Sequence, residues 1–308
     1  INRLKQRDTL TKSRLVIFVI KLMATIRLQT AQKIGVFLGR LMWLFKLDQV
    51  RVSDINLKLC YPELSDVERE NMVRLSLQET CKTFMEVGMA WEWPTDKCLD
   101  MIREIEGKSL IDDAIARKEG ILLLAPHLGN WELTGLYFST LFNMAALYRP
   151  PKVAGLDEYM SEVRGRAGSE LVPTDKRGVL RLFKLLRSGG VVGILPDQEP
   201  PFSGGEFAPF FGVEANTMKL VSKLVGKTGA TVLCTYAQRL PNGEGFKLII
   251  KKADPEIASS DLITSVTALN RSVEAVVREA PTQYQWEYKR FKRRRKGEAH
   301  HYDEGRVW

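Results

Sequence analysis

The feature that most constrains this chain is a series of short, wholly apolar runs separated by helix-length amphipathic stretches. Ile121–Ala125, Met144–Tyr148, Val191–Leu195, Val232–Tyr236 and Phe246–Ile250 are too short for core helices and lack the alternation of half-solvated strands. They read as strands buried on both faces. Helical spacing occupies Leu110–Ala116, Val179–Leu186 and Met218–Val225. Strands alternating with helices predict an α/β fold, a largely parallel central sheet covered by helices on both faces. Ahead of it, Asp66–Trp91 reads as one long helix: Ser65 can cap it, Glu68 stands three residues on, and Pro94 stops it. Asp48–Ser65 reads as a connector with a turn at Tyr61-Pro62-Glu63. With no internal repeat or Gly/Ser linker in 308 residues, the simplest division is a helical segment, 1–48, before an α/β domain, 49–308.

Hydrophobic residues make up 44% of the chain and charged residues 27%, which excludes wholesale disorder. The net charge of +9 is unevenly placed. Residues 1–48 hold ten Lys/Arg against two Asp/Glu, and residues 287–308 hold eight against four, so the body between is slightly acidic. Basicity therefore belongs to the partners of the two ends. Cys60, Cys81, Cys98 and Cys234 form no C-x-x-C pair, so neither a zinc site nor a disulfide framework is expected, and no metal or cofactor. Of three histidines, His300 and His301 lie in the tail, which leaves His127 for any imidazole chemistry in the body.

Between Ser13 and Leu47 apolar runs are interrupted by Lys21, Arg27, Lys33 and Arg40, and none approaches the ~20 residues of a spanning helix. Arg14 with Lys21, and Lys33 with Arg40, fall about 20° apart on two helices joined near Gln29–Gln32. A cation costs ~2.5–3.5 kcal/mol at mid-bilayer but gains ~1 kcal/mol at an anionic surface. The expectation is helices lying in the interface of an anionic membrane. The competing expectation is an amphipathic pair packed on the protein's own core.

Ligands in such folds collect at the C-terminal ends of strands. Three strands lead there into Pro126-His127-Leu128-Gly129-Asn130-Trp131-Glu132, Arg149 and Pro196-Asp197-Gln198. Gly129 permits a tight turn, Asn130 can cap the next helix, and such a turn could swing Glu132 onto the His127 imidazole. That would fix the tautomer and leave a ring nitrogen as base. The plainer reading of His127 is a hydrogen-bonded structural residue. No G-x-S-x-G, G-x-G-x-x-G or H-E-x-x-H occurs, and Gly226-Lys227-Thr228 lacks the first glycine of a phosphate loop. The run Lys289–Lys296 is either a phosphate-binding segment or a solvated tail.

His127-Leu-Gly-Asn-Trp-Glu132 resembles the H-x4-D/E motif of the glycerolipid acyltransferases, in the Glu form of the lipid A late acyltransferases of Gram-negative bacteria. Asn56–Glu63, Glu86–Trp91, Tyr148-Arg149-Pro150, Arg164–Gly168, Pro209–Gly212 and Tyr284–Trp286 agree in order and spacing. The resemblance implies transfer of a fatty acyl chain from acyl carrier protein to a hydroxyl of a lipid A precursor, at the cytoplasmic face of the bacterial inner membrane. It implies His127 as base and Glu132 as its partner, with direct attack and no covalent acyl-enzyme. Backbone N–H groups at Gly129–Asn130, or Arg149, are the expected oxyanion donors. Arg149, Arg164 and Arg290 are expected at phosphates. Asp197 and Gln198 are expected to hold the site or a sugar hydroxyl, and Gly212 to be structural or a chain-pocket wall. No nucleic-acid partner is implied. The other readings are an acyltransferase acting on a different acceptor lipid, and a basic binding protein in which His127 is structural.

Overall fold

The computed structural model describes residues 2–148, 150–151 and 155–303, with side chains described from Lys12 onward. Nine strands follow in chain order: β1 (Ile102–Glu106), β2 (Ile121–Leu124), β3 (Met144–Tyr148), β4 (Glu170–Pro173), β5 (Val191–Ile194), β6 (Gly205–Phe210), β7 (Val213–Met218), β8 (Thr231–Arg239) and β9 (Phe246–Lys252). Seven form one sheet in the order β1-β9-β8-β2-β5-β3-β4. All neighbours pair in parallel except β8 and β9. The expected largely parallel sheet is therefore present, and β6 and β7 form a separate hairpin.

The helices are α1 (Asn2–Ala24), α2 (Leu28–Leu44), α3 (Asp48–Cys60), α4 (Asp66–Glu92), α5 (Thr95–Leu99), α6 (Lys108–Ala116), α7 (Trp131–Leu141), α8 (Leu156–Gly165), α9 (Lys176–Arg187), α10 (Leu220–Thr228) and α11 (Leu262–Glu279). The pleat sends alternate residues of β2 to opposite faces. Leu122 and Leu124 join a core with Leu182 and Leu185 of α9, Leu224 of α10 and Leu269 of α11. Ile121 and Leu123 join another with Ile111 of α6, Leu133 and Phe138 of α7 and Met89 of α4. All four β2 side chains are buried, which is why that run shows no alternation.

All five apolar runs are strands, and α4 begins with the anticipated capping box: the Glu68 N–H donates to Ser65 Oγ, and the Ser65 N–H to Glu68 Oε2. Four elements differ from expectation. The stretch read as a connector contains α3, whose buried Val52, Ser53, Asn56, Leu57 and Cys60 follow helical spacing despite two polar members. β1 and β4 are edge strands with charged residues among the apolar ones, so they form no apolar run. Met218 ends β7, and α10 starts at Leu220. The β6–β7 turn places Phe211 and Gly212 at φ of 49° and 78°, as a tight hairpin of primed type requires.

α2 lies against α4 through small residues. A Cβ at Gly35 would come within 2.6 Å of the Lys82 backbone nitrogen, and one at Gly39 within 2.5 Å of Gln78 Cα. The large apolar side chains face outward instead: Leu15, Phe18 and Leu22 on α1, and Phe37 and Leu44 on α2, are exposed. The pair thus packs on the protein's own body, α2 mainly through small residues and α1 through Ile20, and turns large apolar residues away from it. Among the described residues no helix is long and apolar enough to cross a membrane.

Candidate active site

The loop after β2 is fixed from two sides. Gly129 sits at φ +61°, and a Cβ there would fall 2.1 Å from the Ala237 carbonyl oxygen, so only glycine lets the loop meet β8 this closely. The Asn130 N–H donates to that carbonyl at 2.9 Å, the Gly129 N–H to the Gln283 carbonyl at 3.1 Å, and the Gln285 N–H to the His127 carbonyl at 3.1 Å. Asn130 caps α7, its side-chain oxygen accepting from the Leu133 N–H. Gly129 and Asn130 therefore spend their N–H groups within the fold, and the expectation that they form an oxyanion hole is corrected.

The imidazole of His127 is held by Asp197, in the loop that follows β5. Its Nδ1 lies 2.8 Å from Asp197 Oδ1, and its own backbone N–H donates to Asp197 Oδ2 at 2.8 Å. Asp197 is buried. Burial acts to raise its carboxyl, but the charge and hydrogen bonds of His127 outweigh that and hold it below the usual carboxylate range. An ionised Asp197 can only accept, so Nδ1 carries a proton, and in the neutral form of the ring Nε2 keeps its lone pair. Gln198 Nε2 stands 3.1 Å from that nitrogen, and in that form of the ring its amide N–H donates to it. The Tyr284 hydroxyl near Asp197 is pushed well above its ordinary range, by burial first and the Asp197 charge second.

Glu132 is engaged elsewhere, contrary to the expectation that it turns onto the ring. Arg164 grips both its carboxylate oxygens, with Nε 3.0 Å from Oε2, and Trp91 Nε1 donates to Oε2 at 2.9 Å. Glu132 belongs to the first turn of α7, where the helix directs it toward α4 and α8 rather than back over the loop. Burial would raise its pKa, but Arg164 and Trp91 prevail and lower it. Arg164 also stacks against the rings of Trp91 and Tyr148, at 5.5 and 5.9 Å from their centroids.

His127, Glu132, Arg164 and Gln198 line one cavity of about 310 Å³. Its remaining wall is mainly apolar, with Gly135, Leu136, Met144, Ala146, Leu147 and Leu171 among the lining residues. Of the other expected site residues, Gly129, Asn130 and Asp197 stand behind this lining in the loops that hold His127, and Arg290 and Gly212 lie elsewhere. Arg290 is buried and donates to the Asn216 carbonyl at 2.8 Å and to Thr217 Oγ1 at 2.8 Å, so it braces β7 and is not available to a phosphate. Gly212 lies in the β6–β7 turn, outside the cavity lining. Arg149 falls outside the described residues. The basic C-terminal run is no solvated tail either: Arg294 donates to the Glu214 carbonyl, and Arg295 pairs with the Glu214 carboxylate at 2.8 Å.

No cysteine is a reactive thiol. All four are buried, and burial pushes Cys81 up to about 11 and Cys234 to about 12. Among the described residues no group of His, Cys, Asp and Glu could hold a metal ion.

One supporting cluster escaped the sequence reading. Arg239, at the end of β8, donates to Glu86 from Nε at 2.7 Å and to Glu79 from Nη1 at 2.7 Å. Glu86 also accepts from Gln32 Nε2 at 2.8 Å and from Asn130 Nδ2 at 3.1 Å, tying α2, α4, β8 and the cap of α7 together. Burial opposes the Arg239 charge, but Glu86 and Glu79 more than offset it and raise its pKa. The available signal was Glu79 and Glu86 at helical spacing in an otherwise apolar stretch, which looks like a solvated face until α2 covers it.

A histidine with a carboxylate on one ring nitrogen, lining a mainly apolar cavity at the C-terminal ends of the strands of an α/β sheet, suits an enzyme that deprotonates a hydroxyl beside an aliphatic chain. The model of the bacterial lipid A biosynthesis acyltransferases matches residues 3–293, and the chain belongs to that family. It is 32% identical over 266 residues to the lipid A biosynthesis lauroyltransferase of Escherichia coli K12, covering 86% of each chain. It is 29% identical over 272 residues to the palmitoleoyltransferase of the same organism, again covering 86% of each. The myristoyltransferase is 26% identical over 274 residues, with 88% of this chain and 82% of that one covered.

Proposed function

We propose that the protein transfers a fatty acyl chain from acyl carrier protein to the hydroxyl of a 3-hydroxyacyl chain on a lipid A precursor, with His127 as general base. The observation that carries the reading is the His127 ring itself: it lines the cavity with Gln198, Asp197 holds Nδ1, and Nε2 lies 3.1 Å from the Gln198 amide. Nε2 takes the acceptor hydroxyl proton as the oxygen attacks the thioester carbonyl. The tetrahedral intermediate then collapses, and the departing thiolate recovers the proton from the imidazolium. No acyl-enzyme is needed, consistent with the buried, high-pKa thiols. Asp197 favours the imidazolium formed at the transition state. The acceptor hydroxyl replaces the Gln198 amide at Nε2, and that amide is then the side chain best placed to donate to the oxyanion.

The apolar wall takes the acyl chain. Glu132 and Arg164 form the polar wall, with Glu132 acting through Arg164 rather than through the ring. Arg164 is thereby offered to the acceptor or to the carrier's phosphate-bearing arm. The outward apolar faces of α1 and α2, flanked by exposed Arg14, Lys21, Lys33 and Arg40, suit helices lying on the anionic cytoplasmic face of the bacterial inner membrane.

The test is an acyl-transfer assay in detergent with a labelled tetra- or penta-acylated lipid A precursor and a panel of acyl carrier protein donors. Transfer by the wild type, lost in His127→Ala with the fold intact, is the expected result. Full activity in His127→Ala would sink the mechanism. A folded wild type inert toward lipid A precursors but active on another lipid would move the acceptor assignment.

A further inference from the structure

Many cations of this protein pair with a carboxylate. Lys108 pairs with Asp112, Arg117 with Glu119, Lys247 with Glu104 and Glu106, Arg271 with Asp254 and Glu256, and Arg295 with Glu214. Helices α9 and α10 depart from that pattern. α9 carries Lys176, Arg177, Arg181, Lys184 and Arg187 with no acidic residue, and α10 with its cap carries Lys219, Lys223 and Lys227, again with none. Among the described residues only Arg181 of these has a carboxylate partner, Glu170 at 2.7 Å.

These charges form a surface rather than a scatter. Arg177, Arg181 and Lys184 recur at i, i+4 and i+7, opposite the buried Leu182, Leu185 and Leu186. The helices lie side by side: Arg187 reaches the Lys227 carbonyl at 3.5 Å, and Lys227 Nζ sits 5.6 Å from the Phe183 ring centroid. The surface also begins at the cavity. Thr174 lines it, and the next residue, Asp175, caps α9 by accepting from the Gly178 N–H at 2.8 Å. Lys176 and Arg177 are therefore exposed just beyond the rim.

We propose that the α9–α10 face docks an acidic protein that presents the acyl thioester to the cavity. The inference rests on the donor reading above and places that donor on α9 and α10 instead of the C-terminal basic run, whose arginines are turned to the fold. Unpaired like charge beside a cavity raises the encounter rate of an oppositely charged partner by ~10–10³-fold at low salt. Leu180, exposed amid the cations, offers one apolar anchor. A lipid surface is the poorer occupant: a helix lying in a membrane needs a broad apolar face. Leu180 is the one exposed large hydrophobic residue on these two helices, whereas such residues are numerous on α1 and α2.

The experiment compares the full chain with a triple variant, Arg177→Glu, Lys184→Glu and Lys223→Glu, and with a charge-matched control, Lys108→Glu, Arg117→Glu and Arg271→Glu. Binding of apo acyl carrier protein is followed by fluorescence anisotropy. The KM is measured for an acyl carrier thioester and for the same acyl group on pantetheine alone. The expected result is carrier affinity weakened about 10-fold or more in the triple variant, with a parallel rise in carrier KM and a flatter salt dependence. Its kcat, its KM for acyl-pantetheine and the control variant should change little. A milder triple Gln variant, which avoids new repulsion in the fold, should move in the same direction. Unchanged carrier affinity, equal weakening in the control, or loss of binding to phosphatidylglycerol vesicles in place of carrier binding would each overturn the proposal. If the wild type binds carrier through α9 without accepting its acyl group, the donor assignment fails and the docking surface stands. If it transfers acyl groups from other thioesters and never binds carrier, the docking surface fails and acyl transfer stands.

Discussion

Asp197 and Glu132 are held in the same cavity region by opposite kinds of partner, and the difference separates their roles. Asp197 meets a group that can change its charge during a reaction, the His127 imidazole, at 2.8 Å. Glu132 meets one that cannot, the guanidinium of Arg164. Both carboxyls are lowered against a burial penalty, so both are anionic at neutral pH. Only the first pair gains strength when the ring accepts a proton. Order in the sequence favoured Glu132, five residues from His127, over Asp197, seventy residues away; the parallel pairing of β2 with β5 reverses that ranking.

The largest effect that tests this contrast is expected in the His127 pair. His127→Ala should lower turnover by at least ~10³-fold, and Asp197→Asn by ~10²–10³-fold, each with the melting temperature nearly kept. Single-turnover rates alongside thermal melts read both quantities. If Asp197→Asn retained most of the rate while Glu132→Gln did not, the assignment would be reversed. Glu132→Gln should instead act strongly on stability, because it leaves the Arg164 charge partly buried without its partner. A loss of ~3 kcal/mol is expected, with a smaller fall in rate, about 10-fold, from a displaced cavity wall. Glu132→Gln combined with Arg164→Met should recover part of that stability, whereas Asp197→Asn has no such partner to remove.

The pH dependence of that stability loss sharpens the comparison further. The folded pKa of Glu132 lies below its unfolded value, so its contribution is fully present above an ordinary glutamate pKa of about 4.3 and fades as pH falls through the lower folded value. Wild type and Glu132→Gln should thus differ in melting temperature by a constant amount from pH 7 down to about 5, and converge only below ~4. A gap that closed between pH 7 and 5 would mean that Glu132 is not held low by Arg164.

How much of this was legible depended on whether neighbours in space were neighbours in sequence. Local signals carried through: the β2 and β5 runs, the Ser65–Glu68 box and the Asn130 cap are each set by a few consecutive residues. The concentration of His127, Asp197 and Gln198 at one sheet edge was also readable, since it follows from which residues end the strands. Side-chain partners were not. Arg290 looked like a phosphate ligand in a basic run, but its guanidinium is bound by Asn216 and Thr217, over seventy residues earlier. Arg239 and Glu86 gave no sign of each other, because a buried ion pair 153 residues apart has no sequence period. α3 was hidden for a related reason: its buried face includes Ser53 and Asn56, and Asn56 earns its place by donating to the Trp286 and Tyr288 carbonyls.

The smallest predicted effect concerns the part of the cavity wall that lies one turn along α7 from Glu132. Gly135 lies inside α7, where a glycine costs ~1 kcal/mol relative to alanine, and it lines the cavity. A Cβ built there meets nothing within 4 Å, so neither packing nor backbone conformation demands glycine at this position. Space for the acyl chain is the remaining physical reason for it. Gly135→Ala should therefore raise the melting temperature slightly, and Gly135→Met should shift donor preference toward shorter chains. Each methylene left without room is worth about 0.8 kcal/mol, or roughly 4-fold in relative kcat/KM. Competition between acyl donors of graded length, read by mass spectrometry of the product, measures this directly. An unchanged length profile in Gly135→Met would place the chain elsewhere and leave the cavity to the acceptor.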